Sequence, residues 1–595
     1  MPPICKGGDN VPFVLSLRDM ANSKKVKGIY VKGDYYISGE NMLIFKGETF
    51  PHNITCRELY TQIIQHGLVH AVKEMKGEFF ILFYDSNLDK IYIANDKLGR
   101  DPLFYFYDGA NFIVSDDFWE VVNIIEPTAS DIDVQNVKEF IIFHNPLFCK
   151  TIIRNLNFFP PASISEFSLV SKKFELRQYW DSRFKEDGAL SIEDAIETTD
   201  RILDLAMQQI KDKNDLNATY GVGLSGGLDS RLIPYYALKH NMHLISFIIG
   251  ERKPRKFMLS NDHKCAREVA KYYGLDHHEV EYDSEEFENK RFYDVRYNPM
   301  SPSQFFKTVR ENLPDFDIYL NCTYGILIGL DMPSNIENLS KEELLDTIVS
   351  RYSHMNTIQP HGKLKLALKL IFGYNIHPTN EQSIDGIMSK EEFTISANKI
   401  RQFIEDNSDK SNISILYKYF INHLGAHTKY GAYESLQGWK KSYTYYPHLL
   451  DEMLTWNKDL LRNRRVLKSL LIKKFPKLAK IKAQNYNVAV FYQNQNKRSN
   501  ILRKKFALLE YILRGPGVIR DSKWTKEKKY IKHTLNILSN DTKIFKSIFD
   551  IKKVIEIRVQ SPSIYENLIK LKLIIDLIET KNYKKFFALR STKPS

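Results

Sequence analysis

The 595-residue chain contains no run of about eighteen apolar residues, so no membrane-spanning helix is expected. Its first residues, Met1-Pro2-Pro3, open no signal peptide, and a soluble, cytoplasmic protein is the expectation. Cysteine is scarce: Cys5, Cys56, Cys149, Cys265 and Cys322 are scattered without CxxC spacing, which argues against structural zinc and for reduced, unpaired thiols. Low-complexity tracts and internal repeats are missing, so no solenoid or flexible array is expected. The phosphate loop of kinases and GTPases, GxxxxGK[ST], is missing too: where it needs lysine after its second glycine, Leu228 follows Gly227, and the nearest downstream lysine is Lys239.

What the chain does have is Ser225-Gly226-Gly227-Leu228-Asp229-Ser230 at the end of an apolar stretch. Two adjacent glycines let backbone N–H groups close around an anion, and the serines add hydroxyl donors where a following helix begins and its dipole is positive. Asp229 amid such anion donors makes sense as a magnesium ligand, because a bare carboxylate repels phosphate. The string therefore reads as ATP chemistry, and it resembles the pyrophosphate-binding loop of ATP pyrophosphatases. Arg231, directly after it, reads as a cap or salt bridge in the first helical turn.

The length implies two to four domains, and 43% apolar residues suffice to fill their cores. Residues 1–185 hold short β-prone runs, among them 78–84 and 90–94 joined by the turn sequence 85–89, and predict an antiparallel sheet domain. Residues 190–485 alternate helix and strand: helix 192–210, strand 218–224, helix 232–239, strand 243–249, helix 262–273 and strand 277–280. That alternation implies a parallel sheet with ligands at the carboxyl ends of its strands, where the loop falls. Residues 331–415 read as an insertion or lid, and 486–595 as a basic helical tail with one helix spanning 534–549.

The net charge of +13 conceals an asymmetry, with 33 Lys and Arg against 9 Asp and Glu in residues 461–595 and an acidic remainder. The tail's charge fits an acidic partner. Apolar residues at helical spacing and the lack of a recognition motif favour a lysine-rich solvated face instead, and argue against nucleic acid. The 34 tyrosines and 36 phenylalanines are read as core fillers, not a base-stacking surface.

About 430 residues resemble the asparagine synthetases. The resemblance rests on the 225–230 loop, Ser246 to Gly250, Asp262 with Ala266, Val269 and Ala270, and Tyr273-Gly274-Leu275-Asp276-His277-His278-Glu279-Val280. It extends to Tyr446-Pro447-His448-Leu449-Leu450-Asp451, similar to the family's PFLD segment, and to 464–476. In the first region Gly77 to Asp85 looks like GxFAFALWD, Ala94 to Tyr105 looks like ARDRFGxxPLYY, and Lys46-Gly47-Glu48 echoes NGEIY. The resemblance implies the fold class α/β with α+β: a glutaminase-like (Ntn) domain of two stacked antiparallel sheets, then an ATP pyrophosphatase domain with a helical C-terminal extension. It implies ATP and Mg²⁺ as cofactors, with Leu224, Ser225, Gly226, Gly227, Leu228, Asp229, Ser230 and Ile248 around the nucleotide, Asp229 on the metal, and Arg464 and Lys468 on the pyrophosphate.

Departures from the family pattern limit what carries over. The family's glutaminase uses an amino-terminal cysteine whose α-amino group is the base, whereas Cys5 here is interior, and Lys46 replaces the oxyanion-hole asparagine. Where the family has SGEGGDE, this chain has Leu320-Asn321-Cys322-Thr323-Tyr324-Gly325-Ile326-Leu327, leaving Asp331 as the nearest carboxylate downstream. The expected activity is an AMP-forming amide ligase acting on a small-molecule or peptide carboxylate, with nitrogen from ammonia or an amine and without glutamine hydrolysis. The competing reading is a non-catalytic homologue that binds a nucleotide or a partner. The intact loop, Asp229 included, favours the enzyme. His277 and His278 lack the companions that a metal site needs, and read as structural or near the nucleotide.

Overall fold

The computed structural model describes residues 14–16, 24–26, 29–32, 36–38, 40–50, 54–99, 102–225, 227–249, 262–280, 293–294, 303–304, 313–321, 333, 335–353, 387–428, 441–444, 446–481, 528–540, 542–560 and 562–585. Cys5, Gly226 and Asp331 therefore lie outside the described residues.

The first region is built on two six-stranded antiparallel sheets. The strand Lys76–Asp85 shows why they stack. Phe80, Leu82 and Tyr84 on one face meet Leu15, Phe112 and Val114 of the other sheet, while Phe79, Ile81 and Phe83 on the opposite face pack on Leu59, Ile63 and Val72 of helices Cys56–His66 and Leu68–Glu74. Period-two alternation with both faces apolar thus calls for cover on both sides. On the second sheet, Val14, Phe104, Phe106 and Ile113 turn outward to helices Phe118–Ile125 and Val134–Phe143. The layers run helix, sheet, sheet, helix. The turn read at 85–89 joins Lys76–Asp85 to Lys90–Asn95, with Asp85 Oδ1 accepting from the N–H groups of Asn87 and Leu88.

The second region carries a five-stranded parallel sheet in the order Asp276–Val280, His243–Ile249, Thr219–Gly223, Ile318–Asn321, Lys441–Thr444. The chain steps outward from Thr219–Gly223 in one direction and then returns to build in the other. The reversal falls beside Thr219–Gly223, which makes its carboxyl end the topological switch point. Gly221 is fixed by close approach, since a Cβ there would come within 2.5 Å of the Phe316 ring.

The described parts of 331–415 and of the tail are packed into this core. Helix Lys390–Asp406 docks on Val134–Phe143 through Glu139, which is fully buried and accepts from Leu147 N at 3.0 Å, Ser396 Oγ at 2.9 Å and Lys399 Nζ at 2.8 Å. We expect Glu139→Leu to cost about 3 kcal/mol, read as a lowered urea midpoint, because it strands three donors at once. Glu139→Gln, which keeps the acceptor oxygen, is expected to recover part of the loss.

One tail expectation is corrected. The helix read over 534–549 is two helices, Lys528–Ser539 and Lys543–Ile548. Ser539 and Asn540 favour a turn, and Thr542 starts the second helix while its hydroxyl bonds Asp576 Oδ1. Helix Pro562–Thr580 then lies along the first domain, with Asn567 Nδ2 donating to Ile141 O at 3.1 Å. Beyond it Tyr583 stacks on Trp119 at 5.6 Å, and Lys581 and Lys584 both pair with Glu126. Part of the tail's positive charge thus has its acidic partner within the same chain. No helix among the described residues is long and apolar enough to cross a membrane.

Candidate active site

Strand Thr219–Gly223 is extended by one bond, Leu224 N to Phe247 O at 2.8 Å, and the chain then turns into helix Asp229–Lys239. The helix begins earlier than position 232, so Asp229 and Ser230 occupy its first turn, where unsatisfied N–H groups collect. Leu224 and Ile248, both buried, sit on adjoining strands at the carboxyl edge of the sheet. The serines close the loop on each other. Ser230 Oγ donates to Ser225 O at 2.9 Å and accepts from Ser225 N at 3.2 Å, while Ser225 Oγ accepts from Gly227 N at 3.2 Å. The hydroxyls expected to face an anion are engaged with one another.

The second half of the site comes from far along the chain. Arg464 Nη1 lies 2.7 Å from Asp229 Oδ2 across 235 residues of sequence. Arg464 sits at the start of helix Arg465–Lys474 with φ 54° and ψ 42°, a left-handed conformation that costs a non-glycine residue about 1 kcal/mol or more. Lys468, four residues on in the first turn of that helix, is buried. Burial pushes the Asp229 carboxyl up from its ordinary value, against the downward pull of the Arg464 guanidinium.

Arg231 departs from expectation. It does not cap or salt-bridge at the surface: the side chain is fully buried, and it donates from Nε to Gly227 O at 2.9 Å and from Nη1 to Leu478 O at 3.4 Å and Ile481 O at 3.1 Å. Sequence alone could not find this role, because the partners are main-chain atoms, two of them about 250 residues away. His277 Nδ1 meets Ser246 Oγ at 3.0 Å, His278 meets Asp276, and His263 meets Glu279. Among the described residues no three His, Cys, Asp or Glu side chains come together to hold a metal ion.

In the first domain Lys46 pairs with Asp116 at the end of strand Phe112–Ser115. Lys97 reaches across to the second region and holds both carboxylate oxygens of Asp451, at 2.7 and 2.8 Å. Two of the segments that carry the family resemblance therefore touch each other.

A four-layer sandwich with antiparallel central sheets is thus followed by a parallel sheet bearing a Ser-Gly-Gly loop at its switch point. Residues 20–180 match the family described as glutamine amidotransferase domain, and residues 203–305 the one described as asparagine synthase. In these two regions the chain is similar to the asparagine synthetases. It is 25% identical over 229 residues to asparagine synthetase B [glutamine-hydrolyzing] of Escherichia coli K12, covering 36% of this chain and 34% of that one. To a putative asparagine synthetase [glutamine-hydrolyzing] of Mycobacterium bovis it is 22% identical over 230 residues, 35% of each. The matches thus span about a third of the length of these relatives. Among solved structures, a glutamine phosphoribosylpyrophosphate amidotransferase of Bacillus subtilis matches 52% of this chain and 69% of its own at 9% identity, with a TM-score of 0.19.

Proposed function

We propose that the protein is an AMP-forming amide ligase that activates a carboxylate as its adenylate. The observation that carries this reading is the meeting of Arg464 with Asp229 at the switch-point loop, which gathers anion donors from two ends of the chain. A carboxylate oxygen of the substrate attacks the α phosphorus of ATP, the bond from that phosphorus to the bridging oxygen breaks, and pyrophosphate departs into the loop. There the first-turn N–H groups and the hydroxyls of Ser225 and Ser230, released from each other, take up its oxygens. Arg464 and Lys468 balance its charge. Ammonia or an amine then attacks the acyl carbon, AMP leaves, and the nitrogen loses a proton to yield the amide.

The residues fit magnesium on one condition. Asp229 offers a single carboxylate, which suffices for an ion that keeps several waters and takes other ligands from substrate phosphates. Bound there, magnesium supplies neutralisation of the charge that develops on pyrophosphate. Asp229 would hold the ion, and Arg464, its partner in this structure, would face the phosphate oxygens.

Nitrogen delivery without glutamine hydrolysis is supported by the Lys46–Asp116 ion pair, which stands at the position of the family's oxyanion asparagine. With ATP, magnesium and a panel of carboxylates that includes aspartate, ammonium is expected to raise pyrophosphate and AMP release, and glutamine to leave it at the level without a nitrogen source. Stimulation by glutamine equal to that by ammonium overturns this part of the reading. Failure of every carboxylate to release pyrophosphate overturns the ligase.

A further inference from the structure

Arg231 is the third residue of helix Asp229–Lys239 and is completely shielded from solvent. Burying a guanidinium is costly unless its donors are met, and here they meet carbonyls at two distinct places. Nε holds Gly227 O within the loop, and Nη1 holds Leu478 O and Ile481 O at the end of helix Pro476–Ala479. That short helix follows directly on Arg465–Lys474, the helix that starts at Arg464. The arm 464–481 therefore touches the loop helix at both of its ends, through Arg464 on Asp229 and through 478–481 on Arg231, two residues further along. An ion pair at one end alone would let the arm pivot, whereas attachment at both ends fixes its direction.

The bond to Gly227 has a second consequence. In a trans peptide the carbonyl of one residue and the N–H of the next point in opposite directions, so drawing Gly227 O toward Arg231 turns the N–H of Leu228 to the far side. The backbone of Arg231 is itself anchored, with its carbonyl accepting from Tyr273 OH at 2.9 Å. Burial pulls the guanidinium down to about 10, which leaves it protonated at neutral pH. Lysine cannot copy the arrangement, because its donors radiate from one nitrogen, whereas the guanidinium's five leave from three, of which Nε and Nη1 are used here.

We propose that Arg231 is a positioning residue that locks the loop to the arm carrying Arg464 and Lys468, so that both sets of anion donors act on one pyrophosphate group. The inference rests on the reading of the site given above. It is tested on the full chain by calorimetric titration with inorganic pyrophosphate plus magnesium, and separately with adenosine, for wild type, Arg231→Met and Arg231→Lys, with thermal unfolding recorded alongside.

The expected result is that Arg231→Met weakens pyrophosphate about tenfold or more, the loss that one or two misplaced hydrogen bonds to a charged ligand produce, and leaves adenosine within about twofold. Arg231→Lys is expected to recover only part of the pyrophosphate affinity. Pyrophosphate binding by Arg231→Met equal to wild type overturns the inference, as does a parallel loss of both ligands, which would make Arg231 a packing residue. If Arg231→Met does not fold, Arg231→Lys decides: weakened pyrophosphate with intact adenosine supports the inference, and unchanged pyrophosphate overturns it. A wild type that binds no pyrophosphate instead overturns the reading of the loop itself, which separates the two failures.

Discussion

Asp229→Ala is expected to lower ATP-dependent pyrophosphate release by about a thousand-fold, the scale reached when a group that stabilises transferring phosphate charge is removed. The size of the effect follows from position. Asp229 is the carboxylate of the loop, lies in the first helical turn, and is the residue on which the distant Arg464 converges. The measurement is pyrophosphate and AMP release with the carboxylate that gives the highest wild-type rate, ammonium and saturating ATP. Asp229→Ala retaining more than a tenth of that rate would remove Asp229 from the machinery.

The same residue sets an expected pH dependence. Its carboxyl is raised by burial, and only the carboxylate can hold a cation, so release should fall as the pH drops through a midpoint above the ordinary aspartate range. The stability term has the opposite sense. In the unfolded chain the group returns to its ordinary value and binds protons less tightly than in the fold. Its contribution to stability is therefore largest on the acid side and declines as pH rises between the ordinary and the raised values. A site that favours activity at neutral pH and stability at lower pH is what a functional, partly buried carboxylate predicts.

The elements legible in the sequence were those with a local cause. The β-prone run 78–84 announced a strand, and the 85–89 turn announced a hairpin. Apolar strands spaced by amphipathic helices announced the parallel sheet, and the glycine pair after the strand announced a turn at its carboxyl end. What local patterns could not supply were pairings made through the main chain at long range. Arg231 looked like any basic residue in a first turn, because the carbonyls of 478 and 481 have no side-chain signature. Glu139 has no local mark of its role either, because the partners that bury it come from Lys390–Asp406. The tail's charge pointed outward to a partner, whereas the apolar residues of Pro562–Thr580 on every side pointed inward to burial, and Lys581 and Lys584 found Glu126 within the chain. Sign and count of charge describe solubility and attraction. Where a helix docks is decided by its apolar faces.

Arg464→Ala is expected to have the second-largest effect on turnover, about a hundred-fold or more in pyrophosphate release, comparable to deleting one preorganised donor of an oxyanion site. Two consequences distinguish it from simple loss of a charge. Arg464 is the group that pulls Asp229 down, so its removal lets burial act alone and moves the acid limb of the pH–rate profile to higher pH. Arg464 and Asp229 also share one contact, so the double variant is expected to lose much less than the product of the two single losses. Arg464→Lys keeps the charge but has a single donor centre, and should restore the acid limb more fully than the rate. An acid limb that stays in place in Arg464→Ala, or losses that multiply cleanly with those of Asp229→Ala, would mean that the two residues act apart. The ion pair seen between them would then be a resting contact with no part in holding pyrophosphate.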